Sequence, residues 1–148
     1  MRDEIHTGLK FGYVPPERLG LVWEDARALL KPAVQTAGGR FTVDDIYADA
    51  RAEKILLWLV TDTDDTHVAA ITTRVIHFPN KRVMAMDWIG GRRMKEWLPL
   101  VQDTIERYAQ DAGCTELEGY GRPAWGRWLE RYGWKPNYIA FKMELGDG

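Results

Sequence analysis

Three apolar runs separated by short polar turns constrain this chain more than any other feature. Residues 55–60, Ile-Leu-Leu-Trp-Leu-Val, have the length and continuity of a strand buried on both faces. The turn Asp62-Thr63-Asp64-Asp65-Thr66 follows, and then a stretch rich in β-branched residues from His67 to Phe78. Pro79-Asn80-Lys81 turns the chain again before a third run, Val83 to Ile89. Connections this short cannot join parallel neighbours, so the three runs are predicted to form an antiparallel meander.

Helical spacing brackets the meander. Ile5, Thr7, Leu9 and Phe11 alternate as a weak opening strand, which Pro15-Pro16 stops. Pro16 suits the first position of a helix, and Leu19, Val22, Trp23, Ala26 and Leu30 form one stripe running to Lys31, where Pro32 is expected to end or kink it. After Gly38-Gly39, the run Thr42-Val43-Asp44-Asp45 reads as a capping box opening a short helix over 43–51. Beyond the meander, Gly90-Gly91 ends the third strand, and Val101, Ile105, Tyr108, Ala109 and Ala112 mark a helix closed by Gly113. A proline in a helix interior costs about 3 kcal/mol. Pro99 therefore sets the expected start near Leu98, with 90–97 as a loop or one irregular turn. A strand over 116–120 follows, and Pro123 opens a last helix with Trp125, Trp128, Leu129 and Tyr132 on one face and Gly133 as its cap. Residues 138–145 read as a closing strand. The predicted class is α+β: a mixed sheet, antiparallel meander plus one parallel crossover, with about four flanking helices.

The length of 148 residues fits a single domain over 1–148. Hydrophobic residues at 45% and charged residues at 28% give the balance of a globular chain, not of a disordered one. A net charge of −2 offers no bulk attraction to nucleic acid or to an anionic membrane, and neither is expected as a partner. The longest apolar run, 55–60, is far too short to span a bilayer, and the first residues lack the apolar core of a signal peptide, so the expected location is cytoplasmic. One cysteine, Cys114, excludes an internal disulfide framework. His6, His67 and His77 have no ligand spacing. The aspartates at 62, 64 and 65 fail the calcium-loop pattern at His67 and Thr73, so no metal is expected. No nucleophile elbow, Walker loop or dinucleotide fingerprint occurs.

The order of elements, with Leu129-Glu130-Arg131-Tyr132-Gly133-Trp134 closing an aromatic helix, resembles the GNAT acyltransferase superfamily over nearly the whole chain. It is also similar to the short GNAT-like proteins of tailed phages. The resemblance implies an acyl-CoA donor, acetyl-CoA, lying where two parallel strands splay apart, here 83–89 and 116–120. It implies a pantetheine arm along the backbone of Trp88, Ile89, Gly90 and Gly91, and phosphates met by Arg92, Arg93 and Lys95 before the following helix. The acceptor, an amine on a small molecule or a protein, would enter past the two N-terminal helices. The chain departs from the family pattern at four positions. Glu96 and Leu98 stand where the phosphate loop has small residues, Arg122 replaces an asparagine, and Leu129 replaces the tyrosine that often acts as general acid.

Two residues then become candidates for proton transfer. Asp87 lies in an apolar strand on the side of Val83, Ala85 and Ile89, where partial desolvation favours a general base. Tyr120 ends the neighbouring strand and is placed to protonate the leaving thiolate. The expected activity is N-acetyl transfer from acetyl-CoA to an amine. The alternative is a non-catalytic GNAT-fold protein with a binding or structural task, in a phage particle or against a host target. Seven tryptophans are the outlier of the composition. Trp23 and Trp58 read as core, whereas Trp88, Trp97, Trp125, Trp128 and Trp134 border the expected cleft, where their rings compete with a donor for space. Exposed tryptophan would also mark a surface for a homodimer or a protein partner.

Overall fold

The computed structural model describes residues 8–121 and 125–146. Its order is β1 (Lys10–Val14), a 3-10 turn (Pro16–Arg18), α1 (Leu19–Gln35), α2 (Val43–Arg51), β2 (Leu56–Thr61), β3 (His67–His77), β4 (Arg82–Met86), β5 (Ile89–Gly91), α3 (Met94–Asp111), β6 (Glu116–Gly119) and α4 (Gly126–Glu130). The sheet runs β1-β2-β3-β4-β6, with β5 also on β3. Every pairing is antiparallel except β4 with β6, which is parallel. The α+β class, the meander and the single crossover are therefore as expected. No helix among the described residues is long and apolar enough to cross a membrane.

The sheet separates two apolar layers. On one face α1 and α2 bury Leu19, Trp23, Ala26, Leu30 and Ile46 against Leu57, Leu59 and Ala70. On the other, α3 packs Trp97, Val101 and Ile105 over Trp58, Val60, Ile71, Met84 and Met86. Strand alternation explains the split, since successive residues of β2 and β3 serve opposite layers. Polar groups caught inside are satisfied: the Trp58 indole donates to Thr73 Oγ1 at 2.9 Å. The Thr42 capping box opens α2 as the sequence implies, with Thr42 and Asp45 bonding each other's amides at 2.8 and 3.3 Å.

Several boundaries differ from expectation, each for a physical reason. The opening strand runs over 10–14; Ile5 and Thr7 lie outside the described residues, and Phe11 pairs with Val60. Pro32 does not end α1, which continues to Gln35 because Leu30 and Val34 are both buried on either side of it. Nor does Pro99 open α3: the helix begins at Met94, and burial of Trp97, Leu98, Leu100 and Val101 outweighs the single lost backbone bond. The expected third strand over 83–89 is two strands. Arg74 opposes Ala85 while Ile71 opposes Ile89, so one extra residue bulges out at Asp87-Trp88. Gly90 and Gly91 do not end the strand but form β5 with Ile89. The described part of the last helix is short, and Pro123 lies outside the described residues. Residues 138–145 form no strand; they are exposed.

Candidate active site

The bulge creates the site. β4 and β6 stay in register from Val83 opposite Glu116 to Met86 opposite Gly119, and pairing then stops. Beyond Met86 the chain is drawn to β3: Thr72 donates its amide to the Trp88 carbonyl at 3.0 Å and accepts the Trp88 amide on Oγ1 at 3.2 Å. β5 continues on β3, whereas β6 ends. The carboxyl ends of the two parallel strands thus diverge beside the start of α3, a geometry that favours ligands.

Asp87 and Tyr120 are brought to the same end of the sheet, but each has a partner that the sequence reading missed. Arg74 on β3 lies opposite Ala85, and Ala85 opposite Glu118, so Arg74 and Glu118 flank one strand on one face. The guanidinium of Arg74 donates to both carboxylate oxygens of Asp87, from Nε to Oδ2 and from Nη2 to Oδ1 at 3.3 Å. That bond, offset in part by burial, raises the pKa of Arg74, with Asp87, Tyr120 and Glu118 adding to the field. The Tyr120 hydroxyl donates to Glu118 Oε2 at 3.2 Å. Partial burial of that hydroxyl, with Glu118 and Tyr138 beside it, pushes its pKa up to about 12, although the residue as a whole is 60% exposed. Tyr120 therefore keeps its proton and directs it at Glu118. Because of the bulge, Ile89 does not share Asp87's side as expected; it faces the α3 layer, while Trp88 joins the α1 layer.

The cationic stretch 92–95 divides its charge unequally. Arg93, with a left-handed backbone (φ 65°), precedes α3 and forks onto Glu96 at 2.9 and 2.8 Å, with Asp62 at 3.6 Å. The hydrogen bond that Arg93 donates to Glu96 raises the Arg93 pKa, and the same bond lowers that of Glu96. Glu96 thus meets the Arg93 charge from within the chain. Lys95 lies 4.7 Å above the Trp128 ring, a cation–π contact. The Arg92 carbonyl accepts the Trp97 indole N–H at 2.7 Å, which fixes the loop, while the Arg92 charge joins that of Arg93 in the field at Asp62.

Gly90 and Gly91 serve the packing of the scaffold. A Cβ on Gly90 would lie 2.0 Å from the Leu29 carbonyl oxygen of α1, and one on Gly91 2.4 Å from that of Val68. On the α3 side the splay holds an apolar cavity between Met86, Ile89, Trp97, Tyr120, Trp125 and Trp134. Its volume is about 60 Å³, against roughly 300–1,000 Å³ for pockets that enclose small ligands. Trp134, tied to Gln102 Oε1 at 2.7 Å, reaches 3.8 Å from a Cβ position on Gly119, and Trp125 lies over Gly121. Trp97, Trp125 and Trp134 thus border the cleft as expected. Trp88 lies instead on the opposite face against Phe41, with ring centres 5.4 Å apart.

The missed pair left a faint trace in the sequence. Arg74 is the one charged residue between His67 and His77, and Glu118 is two residues from Tyr120, on the same face of a strand. Among the described residues no cluster of histidine, cysteine, aspartate or glutamate is arranged to hold a metal ion.

No protein-family model matches the sequence, and comparison with curated proteins likewise found no match. Solved structures do match in shape. An aminoglycoside N-acetyltransferase, AAC(6')-Iy, in complex with CoA superposes with a TM-score of 0.68 at 14% identity, over 93% of this chain and 95% of that one. An aminoglycoside acetyltransferase from an uncultured soil metagenomic sample, in complex with sisomicin, gives 0.67 at 11% identity over 94% and 97%. A GNAT family acetyltransferase of Staphylococcus aureus gives 0.62 at 11% identity over 93% and 99%. The sheet order, the parallel β4–β6 pair and these superpositions together show that the chain has the GNAT fold.

Proposed function

We propose that this protein is a GNAT-type N-acetyltransferase that moves an acetyl group from acetyl-CoA to an amine. The observation that carries the reading is the junction of a strand splay with an acidic cluster, Asp87 and Glu118, held by Arg74 and Tyr120. The position suits the donor: strand backbone at Trp88–Gly91 for its arm, Arg92 and Lys95 for its phosphates. The volume suits it only once Trp125 and Trp134 turn aside from the cavity.

Acetyl-CoA, when bound, supplies the activated acyl group; the rest falls to the chain. The acidic pair attracts a protonated amine and orients it at the end of β6. Glu118 then takes the amine's proton, because both oxygens of Asp87 already accept from Arg74 while Glu118 Oε1 has no partner among the described residues. Tyr120 fixes the Glu118 carboxylate through Oε2. With its pKa near 12, Tyr120 serves better as a hydrogen-bond donor than as an acid.

A second reading is favoured by the filled cleft and by the engagement of Arg93 with Glu96: a GNAT-fold binding protein without catalysis. Calorimetric titration with acetyl-CoA separates the two. The enzyme binds at micromolar donor and acetylates an amine such as a polyamine or aminoglycoside, and silence at millimolar donor leaves only the binding reading.

A further inference from the structure

The apolar cavity at the splay reaches further under the sheet than the reacting end of a donor needs. Met86 and Gly119, the last pair of β4 and β6, line it at the splay, and Leu117, Val101 and Ile105 line it further back. Val101 and Ile105 are 1 and 0% exposed, so this end is closed to water. The amide and hydroxyl side chains that reach the cavity are already engaged. Gln102 accepts the Trp134 indole on Oε1 and donates from Nε2 to Glu106 at 3.1 Å, and the Tyr120 hydroxyl donates to Glu118. The two amides of a pantetheine arm would lose their hydrogen bonds against such a wall, and the strand backbone at 88–91 serves them better. A dry apolar space of this kind suits hydrocarbon.

The sheet divides this space from the acidic cluster. Leu117 packs into the α3 layer, whereas Glu118, next along β6, shares the other face with Arg74. An amine held by Glu118 therefore approaches from the α1 side, and whatever extends behind the reacting carbonyl on the α3 side belongs to the donor. A volume of about 60 Å³ has room for on the order of four water-sized groups. The methyl of an acetyl group fills one of those places and leaves the others void. Met86 and Met94, unbranched and adaptable, let the wall close on a longer chain. We propose that the cavity is an acyl-chain site, and that the preferred donor is a butyryl- or hexanoyl-CoA, with acetyl-CoA a poorer one. The inference rests on the reading of the splay as the donor site.

The test is calorimetric titration of the full chain with acetyl-, butyryl-, hexanoyl- and decanoyl-CoA. Each buried methylene is worth about fourfold in affinity. Butyryl-CoA is therefore expected to bind about tenfold more tightly than acetyl-CoA, hexanoyl-CoA at least as tightly as butyryl-CoA, and decanoyl-CoA more weakly than hexanoyl-CoA. Leu117→Phe, which fills the space, is expected to move the optimum to a shorter chain. Leu117→Ala, which enlarges it without adding bulk, is expected to move the optimum to a longer one. Far-ultraviolet dichroism checks that each variant is folded. Acetyl-CoA binding as tightly as butyryl- and hexanoyl-CoA overturns this inference and leaves the donor reading standing. So does a chain-length profile that Leu117→Ala leaves in place, because the chain then lies elsewhere on the protein. Binding of none of the four overturns both.

Discussion

At the scale of single residues, the site is an arrangement of four charges and dipoles whose roles follow from who already has a partner. Glu118→Gln is expected to lower kcat for amine acetylation about 100- to 1,000-fold, within the usual contribution of a general base, with little change in donor affinity. Steady-state kinetics at saturating donor checks it. Arg74→Met leaves the half-buried Asp87 carboxylate without its fork and is expected to cost about 1 kcal/mol in a denaturant melt. Tyr120 provides a pH test. Below its ordinary value of 10 the hydroxyl is protonated whether the chain is folded or not. Above that value the unfolded chain ionises first, so this residue's contribution to stability declines as pH climbs from 10 toward 12. A phenolate titration followed by ultraviolet absorbance should lose its latest-titrating component in Tyr120→Phe.

Elements show where close approach fixes the scaffold. Gly90→Ala would drive a methyl group into the backbone of α1, where neither partner yields easily, and is expected to cost about 3 kcal/mol. Thr42→Ala removes a complete capping box and is expected to cost about 1 kcal/mol. Both are read from urea midpoints. The capping box was legible because its chemistry is local: Thr42 and Asp45 need only each other. The bulge was not. Val83, Ala85, Asp87 and Ile89 alternate without interruption in the sequence, and only the pull of Thr72 on Trp88 shows where the extra residue goes. Pro99 misled for the converse reason. Its local cost is real, but the burial of Trp97 and Leu98 that offsets it depends on a layer that includes Leu9 and Trp58, distant in sequence. Arg74 and Glu118 were missed because their importance lies in a cross-strand register that pairs three strands.

For the molecule as a whole, the two layers leave the sheet open at one corner, where the splay, the cation loop and the last described segment meet. Glu96 closes that corner electrostatically by occupying Arg93. Glu96→Gln is expected to leave Arg93 with Asp62 as its one remaining carboxylate and to tighten acetyl-CoA binding several-fold by calorimetry, with the gain shrinking at high salt because the charge is screened. The indoles that close the corner sterically have an optical consequence. Trp134 and Trp125 stand half-buried against an apolar pocket, one of them hydrogen-bonded to α3, so their emission belongs to a partly shielded setting. Whatever enters the cleft must first turn them toward water. The plug is thus a built-in fluorophore pair, and a red shift in tryptophan emission would report occupancy without any label.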